Sequence, residues 1–283
     1  MKVLEGLMNG IRKMLSFNHL GNLGRLANQM FQYASLKGIA TYRGYEFCIP
    51  PKEVFGRKDQ MVNKDLNLYD VFDIESKNKI QLTNNPVLQE RFHTFDSEFF
   101  TNCPDNIDLF GYYQTEKYFK HIEDEIREDF TFSEELTFNC KEFIKSLNSE
   151  VISIHVRRGD YATNPNHPVQ NIEYYKKALE LLPKDLPVLV FSDDFNWCDE
   201  QDFFDDGRFM ISQESSVDAD LCMMSMCNYH IIANSSFSWW GAWLAKSKKI
   251  IAPQNWFGGE CIDKKVDDIV FGNFKFLGES YEC

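Results

Sequence analysis

The 283-residue sequence predicts a protein of the α/β class. Residues 14–49 follow the order strand, glycine-containing turn, helix, strand, which opens a Rossmann-like unit. From residue 151 onward, short apolar runs alternate with helical segments, a pattern typical of a parallel sheet covered by helices. Polar and charged residues follow several of those runs, as expected where ligands bind α/β sheets. The length of the chain leaves open two modest domains or one large α/β unit.

The first half begins with residues 1–13, which we expect to form a disordered leader, with Met14 as an alternative natural start. A strand is predicted at residues 14–17, and a glycine-containing turn follows at 21–26. A helix over residues 27–42 is predicted because Leu26, Met30 and Ala34 recur at helical spacing. A second strand follows it at residues 45–49.

The middle of the chain shows a less regular pattern. A strand is expected near residues 108–113, and the charged segment 116–150 is expected to be helical and to join the two halves. We place the domains at residues 14–135 and 136–283.

The second half is more regular. Apolar runs predict strands, helical patterns separate most of them, and the sequence shows no internal repeat. The predicted strands cover residues 151–156, 188–191, 208–211, 230–233 and 249–252, and the main helices cover 172–182, 218–227 and 239–246.

Composition excludes several classes of protein. The formal net charge is −13, which argues against a nucleic acid as partner, because phosphate binding favours a basic face. No run approaches the roughly 18 apolar residues of a membrane-spanning helix, and no signal peptide is evident. The eight cysteines form no CxxC pair, which argues against a zinc knuckle and predicts reduced thiols in the cytoplasm.

A basic segment, HVRRGDY at residues 155–161, follows the first predicted strand of the second half. Arg157 and Arg158 offer permanent charge and forked donors that suit phosphate oxygens, and Gly159 allows the backbone to turn closely beneath a ligand. The alternative is a surface arginine pair bound by Asp160, which is equally consistent with this motif alone. His155 either bonds a base edge or is satisfied locally.

A second candidate segment, NSSFS at residues 234–238, lies between a predicted strand and a helix. Serine hydroxyls and free amides at a helix start form an anion site. Ordinary capping by Ser236 or Ser238 is the alternative. The tryptophans that follow could stack on a sugar or base, although this spacing is more typical of a core.

Acidic residues follow the predicted strand at residues 188–191 and begin the predicted helix at residues 218–227. Asp193 and Asp194 could hold a ribose or a metal ion, or simply end the strand. Asp218 and Asp220 form a DxD pattern, which metal-dependent sugar transferases use, but acidic residues also favour a helix start through its dipole. Because two arginines are available to neutralise a diphosphate, we expect no metal.

The glycine-containing turn of the first half lacks both GxGxxG and the Walker lysine, so it supports neither a dinucleotide site nor an NTPase. Asn28 could bond a sugar hydroxyl, and the sequence slightly favours helix capping by Asn28 instead.

Together these segments resemble the α-1,2-fucosyltransferase family, glycosyltransferase family eleven. The resemblance rests on GRLANQMFQYA at residues 24–34, HVRRGDY, FSDD at 191–194 and the long block 220–244, in the family's order over nearly the whole chain. Two departures are Ala27, where the family has glycine, and the leader.

The resemblance implies two Rossmann-like domains facing a cleft, the glycosyltransferase-B type, with an acceptor-side domain and then a GDP-sugar domain. It implies inverting transfer of L-fucose from GDP-β-L-fucose to the 2-hydroxyl of a terminal galactose on a glycan, without a metal or other cofactor. The roles implied are Arg157 at the β-phosphate, Arg158 at the pyrophosphate or its loop, and Asp220 at guanine. The remaining donor-site residues expected are His155, Asn28, Asp193, Ser235, Ser236 and Phe237.

Asp160 is the candidate general base, because it lies in the same loop as Arg157; bracing an arginine is the alternative. Use of another guanosine-diphosphate hexose, or carbohydrate binding without catalysis, are the rival functions. The sequence does not predict the oligomeric state.

Overall fold

The computed structural model describes residues 13–54, 67–212 and 216–278. Except for Lys13, the expected leader lies outside these residues. The chain divides into two compact units, Met1–Thr131 and Phe132–Cys283. Each unit contains a parallel sheet, which confirms the predicted α/β class.

Unit 1 alternates short strands with helices. Its strands are β1 (Met14–Ser16), β2 (Glu46–Cys48), β3 (Val87–Gln89) and β4 (Ile107–Phe110), and its α-helices are α1 (Leu26–Arg43), α2 (Leu68–Val71), α3 (Ser97–Asn102) and α4 (Glu123–Asp129). Short 3₁₀ turns lie at Lys52–Val54, Glu116–Tyr118 and Lys120–Ile122.

The strand order in unit 1 is β2-β1-β4-β3, with every pairing parallel. The helix α1 is largely buried, as its apolar spacing predicts. Gly44 caps its carboxyl end with a φ of 66°, the left-handed conformation that glycine adopts readily. Gly38 allows α1 to approach the backbone of Tyr118, since a Cβ there would lie 2.2 Å from its carbonyl oxygen.

Unit 2 begins with a helix and continues as alternating strands and helices. Its strands are β5 (Ile152–Val156), β6 (Val188–Ser192), β7 (Phe209–Ile211), β8 (Tyr229–Ile231), β9 (Lys249–Pro253) and β10 (Phe274–Leu277). Its α-helices are α5 (Glu134–Ser146), α6 (Ile172–Glu180), α7 (Phe195–Asp199), α8 (Val217–Met224) and α9 (Ser236–Leu244). Further 3₁₀ turns lie at Gly159–Thr163, Asp202–Phe204, Gly259–Cys261 and Asp267–Ile269.

The sheet of unit 2 has the strand order β10-β9-β8-β5-β6-β7, again with parallel pairing throughout. Alternate residues of a strand face opposite sides of a sheet. Ile152, Ile154 and Val156 therefore join one apolar cluster with α6, whereas His155 lies on the opposite side, against α9. The chain runs from β5 outward through β6 to β7 and then returns to β8 on the other side of β5, so the strand order reverses between β5 and β8.

The helix of the predicted segment 239–246 begins earlier than expected, at Ser236, and carries the buried tryptophans. Trp239, Trp240 and Trp243 are all at most 1% exposed, so the core interpretation of these side chains is confirmed. The indole N–H of Trp239 donates to the carbonyl oxygen of Ile269 at 2.6 Å. Stacking on a ligand is therefore not their role.

Candidate functional site

The candidate site lies at the carboxyl ends of the unit 2 strands. Ligands of open α/β sheets bind where the strand order reverses, and here that point is between β5 and β8. The segment beginning at Arg157 follows β5, and the segment beginning at Asn234 follows β8. The tyrosine hydroxyl of Tyr161 donates to the carbonyl oxygen of Asn234 at 3.3 Å, which joins the two segments directly.

His155 lies within β5 rather than in the following turn, and it is 5% exposed. Its Nδ1 lies 2.9 Å from the hydroxyl oxygen of Ser238 on α9. Burial, with the charge of Arg157 in addition, lowers the pKa of His155 to about 3. His155 is thus a neutral imidazole that ties β5 to α9.

Arg157 is held by two carboxylates. Its Nη1 lies 2.7 Å from Oδ2 of Asp193, and its Nη2 forms an ion pair with Oδ1 of Asp160. The guanidinium carbon lies 5.0 Å from the centre of the Tyr161 ring. The arginine side chain is 14% exposed, whereas Asp160 is 53% exposed, so the Asp160 contact is the more solvated of the two. The predicted alternative, a brace between Asp160 and an arginine, is present.

Arg158 is fixed by the start of α7. Its Nε donates to Oδ2 of Asp194 at 3.1 Å, and its guanidinium carbon lies 4.4 Å from the centre of the Trp197 ring. Asp194 also caps α7, because its Oδ1 accepts the backbone N–H of Trp197 at 3.1 Å. Asp193 and Asp194 thus each bind one arginine side chain of the β5 loop.

The segment after β8 forms the start of α9. Ser235 is the N-cap, and its hydroxyl accepts the backbone N–H of Phe237 at 3.3 Å. Capping by Ser236 or Ser238, the alternative that the sequence left open, does not occur: Ser236 is the first helical residue, and the Ser238 hydroxyl is directed to His155. The ring of Phe237 lies 5.6 Å from the His155 ring and packs on the sheet.

Asp220 lies in the first turn of α8, next to the end of β7. Its Oδ1 accepts the hydroxyl of Ser212 at 2.8 Å. The backbone N–H of Ser212 in turn donates to Val190 of β6 at 2.8 Å, which fixes this residue to the sheet. Asp218, the other acid of the DxD pattern, has an Oδ1 that is buried and accepts no hydrogen bond from the described residues.

Asn28 belongs to unit 1 and does not cap α1. That helix begins at Leu26 with Arg25 as its N-cap, so Asn28 lies within the first turn, and the slightly favoured capping role was wrong. Its side-chain oxygen accepts a hydrogen bond from Nε2 of Gln114 at 2.7 Å. Gly24 lies so close to Asn28 that a Cβ on Gly24 would lie 2.3 Å from the side-chain amide nitrogen of Asn28.

Two aromatic residues at the unit 2 site were not identified from the sequence. The ring of His167 stacks on Tyr161 with 4.7 Å between centres, and Trp197 covers the Arg158 guanidinium. Trp197 follows the acidic strand end by one helical turn, a signal that could have been used. His167 lies in a loop between prolines, where no pattern indicates a contact.

A cavity of about 250 Å³ lies within unit 1, between β3 and α3. Its polar walls are already satisfied: the Glu90 carboxylate accepts the backbone N–H groups of Tyr112 and Tyr113, and Asp96 binds Arg91. Among the described residues, none predicted for the site lines this cavity. Within residues 13–54, 67–212 and 216–278, no helix is both long enough and apolar enough to cross a membrane.

Comparison with solved structures identifies the fold. NodZ, an alpha-1,6-fucosyltransferase whose crystal was soaked with GDP-fucose, superposes with a TM-score of 0.54 at 15% identity, covering 86% of this chain and 95% of NodZ. A NodZ structure from Bradyrhizobium gives a TM-score of 0.53. This shared fold agrees with the glycosyltransferase-B class that the sequence implies.

Comparison with characterised sequences identifies the family. An alpha-1,2-colitosyltransferase of Escherichia coli is 31% identical, over 84% of this chain and 91% of its own length. The O-antigen glycosyltransferase WbnK of Escherichia coli is 30% identical over 72% and 73%. Galactoside alpha-(1,2)-fucosyltransferase 2 of Bos taurus is 28% identical over 81% and 69%. The model of glycosyl transferase family 11 matches residues 8–274, and the chain therefore belongs to that family.

Proposed function

We propose that this glycosyltransferase moves L-fucose from GDP-β-L-fucose to the 2-hydroxyl of a terminal galactose, with inversion at the anomeric carbon and without a metal. The observation that carries the proposal is the position of Arg157 at the strand-order reversal of the unit 2 sheet. Bidentate guanidinium donors match the oxygens of a diphosphate. The first amides of α9, beside Ser235 and Ser236, add the partial positive charge of a helix start.

In the proposed reaction the galactose hydroxyl attacks the anomeric carbon, and the bond to the GDP oxygen breaks on the opposite side. Arg157 stabilises the charge that develops on the leaving diphosphate. Arg158 supports the loop through Asp194 and Trp197. Asp220, fixed by Ser212, accepts from the guanine edge, as the family resemblance implies.

Asp160 is our proposed general base. In the structure its carboxylate is bound by Nη2 of Arg157 and is half exposed. A diphosphate competes for the same nitrogen, so donor binding releases the carboxylate beside the reacting sugar. Asp160 then accepts the proton of the attacking hydroxyl.

We also propose a cytoplasmic location, which rests on the unpaired cysteines at six buried positions of the described chain.

A colitosyl donor is the second candidate, because the 31% identical relative is a colitosyltransferase. Colitose differs from fucose by the absence of the 3-hydroxyl. A site built to bond that hydroxyl rejects the deoxy sugar strongly, whereas a site that leaves it unbonded discriminates little.

The test is incubation of the purified protein with lactose and either GDP-fucose or GDP-colitose, in the presence of EDTA. Release of GDP together with a 2-linked fucosyl-lactose supports the proposal, and varying the sugar beneath galactose then defines the acceptor. Preference for GDP-colitose moves the assignment to the second candidate. Dependence on added divalent metal contradicts the metal-free mechanism, and binding of lactose without GDP release supports a carbohydrate-binding protein.

A further inference from the structure

Both carboxylate oxygens of Asp193 bind the loop that follows β5. Oδ2 lies 2.7 Å from Nη1 of Arg157, and Oδ1 accepts the backbone N–H of Arg158 at 2.8 Å. The arginine side chain is 14% exposed and the aspartate 27%. Ionic hydrogen bonds of this kind are short and roughly twice as strong as neutral ones. One side chain thus holds both the backbone and the guanidinium of the loop.

The parallel register of the sheet sets this contact. His155 pairs with Phe191, and Val156 pairs with Ser192. The next residues along the two strands are Arg157 and Asp193, which emerge side by side at the strand ends. The sheet itself, rather than a long flexible connection, therefore places the carboxylate beside the arginine.

Gly159 shows how closely the loop packs on this carboxylate. A Cβ at position 159 would lie 2.4 Å from Oδ2 of Asp193, a distance that real Cβ contacts do not show. The loop thus passes directly over the oxygen that binds Arg157. Any larger side chain at position 159 would displace the aspartate or the arginine.

We propose that Asp193 is a positioning residue, which fixes Arg157 for the donor diphosphate and does not itself contact the nucleotide. The two carboxylates on Arg157 bind different nitrogens: Asp193 binds Nη1 and Asp160 binds Nη2. The diphosphate replaces the exposed Asp160 at Nη2, while Asp193 stays on Nη1. This inference rests on the proposed function and replaces the donor contact expected of Asp193, for which a ribose was one of the alternatives.

The direction in which anion affinity changes when Asp193 is neutralised distinguishes a positioning role from simple charge repulsion. A negative group beside an anion site weakens binding through repulsion, so its removal alone would tighten binding. Asp193→Asn removes the charge and leaves an amide oxygen for the N–H of Arg158. If Asp193 positions Arg157, this variant binds the anion more weakly, by about tenfold, because the guanidinium loses its ionic anchor.

The experiment is calorimetric titration of the full chain with pyrophosphate and with GDP. We expect Asp193→Asn to weaken both by similar factors, and to add no further loss in an Arg157→Ala background, since the two residues act as one unit. A loss for GDP but not for pyrophosphate would indicate a nucleoside contact and overturn the inference. Additive losses, unchanged affinity or tighter binding would overturn it as well.

Controls separate folding from positioning. Asp206→Asn is the matched variant, because Asp206 also accepts a backbone N–H, that of Arg208 at 3.1 Å, but at the amino end of β7. It should bind as the wild type does. If Asp193→Asn does not show the wild-type melting transition, Asp193→Glu is titrated in its place. This variant keeps the charge but moves it by one methylene, so the same loss of affinity is expected. If the wild type binds neither pyrophosphate nor GDP, the proposed function is overturned. If the wild type binds them and the Asp193 variants bind with the same affinity, only this inference is overturned.

Discussion

His155 and His230 are buried in the unit 2 sheet, and each joins a strand to other elements. Nδ1 of His230 lies 2.9 Å from the hydroxyl oxygen of Ser247, and its Nε2–H donates to the carbonyl oxygen of Met224 at 2.9 Å. Burial lowers the pKa of His230 to about 4, as it lowers the pKa of His155 to about 3. Both imidazoles are therefore neutral in the folded protein near pH 7, and protonation would leave a charge without solvent.

The lowered pKa values predict acid sensitivity of the fold. Between the folded and unfolded pKa values the unfolded chain binds the additional proton, so the free energy of unfolding falls as the pH drops below about 6.5. We expect His230→Gln to reduce that fall between pH 7 and pH 5 by about 2 kcal/mol. Urea unfolding of both proteins at the two pH values measures it. An equally steep fall in the variant would contradict the neutral, buried His230.

The sequence singles out residues whose chemistry alone identifies them, but it does not give the roles that contacts decide. Arg157 and Asp160 stood out as a charged loop in an acidic protein, and the structure pairs them. The role of Asp193 depends on its register with β5, which no local pattern encodes. For Ser238 the sequence offered capping as one alternative, because its actual partner, His155, lies 83 positions away.

At the scale of elements, α8 and α9 approach closely at Gly241. A Cβ on that glycine would lie 2.7 Å from Cβ and 3.0 Å from Sδ of Met224, at the end of α8. The two helices carry Asp220 and Ser235 at their starts. The close approach therefore sets the spacing between two elements of the proposed donor site.

Gly241→Ala should destabilise the protein by about 1–3 kcal/mol, the usual cost of overpacking, and should weaken GDP binding as α8 shifts. Gly207→Ala is the matched control, since a Cβ there meets nothing within 4 Å. Restricting the unfolded chain makes that change neutral or slightly stabilising. Urea unfolding and a GDP titration check both variants; equal stability of Gly241→Ala and the wild type would contradict the packing described here.

Elements with strong patterns were predicted closely. The strands β5, β6 and β9 match the predicted apolar runs to within one residue at either end, because buried parallel strands are continuous in their hydrophobicity. The edge strand β10 was missed, since its alternating Phe274-Lys-Phe-Leu277 is short. In the middle of unit 1, β3 has only three residues and is largely exposed, so no apolar run identified it.

At the scale of the whole molecule, the net charge of −13 would oppose an anionic donor, so the proposed diphosphate site depends on local positive charge. The arginines of the β5 loop are themselves bound by Asp160, Asp193 and Asp194. In the proposed mechanism these carboxylates keep the two arginines in place at the carboxyl ends of the strands, and the donor diphosphate replaces the exposed Asp160. Fold class and family followed from the sequence, because the motifs recur in order over nearly the whole chain.

The most direct test of this account is calorimetric titration of GDP into the wild type and into Arg157→Ala, with EDTA present throughout. We predict that the wild type binds GDP, and that the variant keeps its melting temperature but loses at least about tenfold in affinity, because a charged hydrogen-bond donor to the diphosphate is gone. Equal affinity in the two proteins, or no binding by the wild type without a divalent metal, would contradict the account.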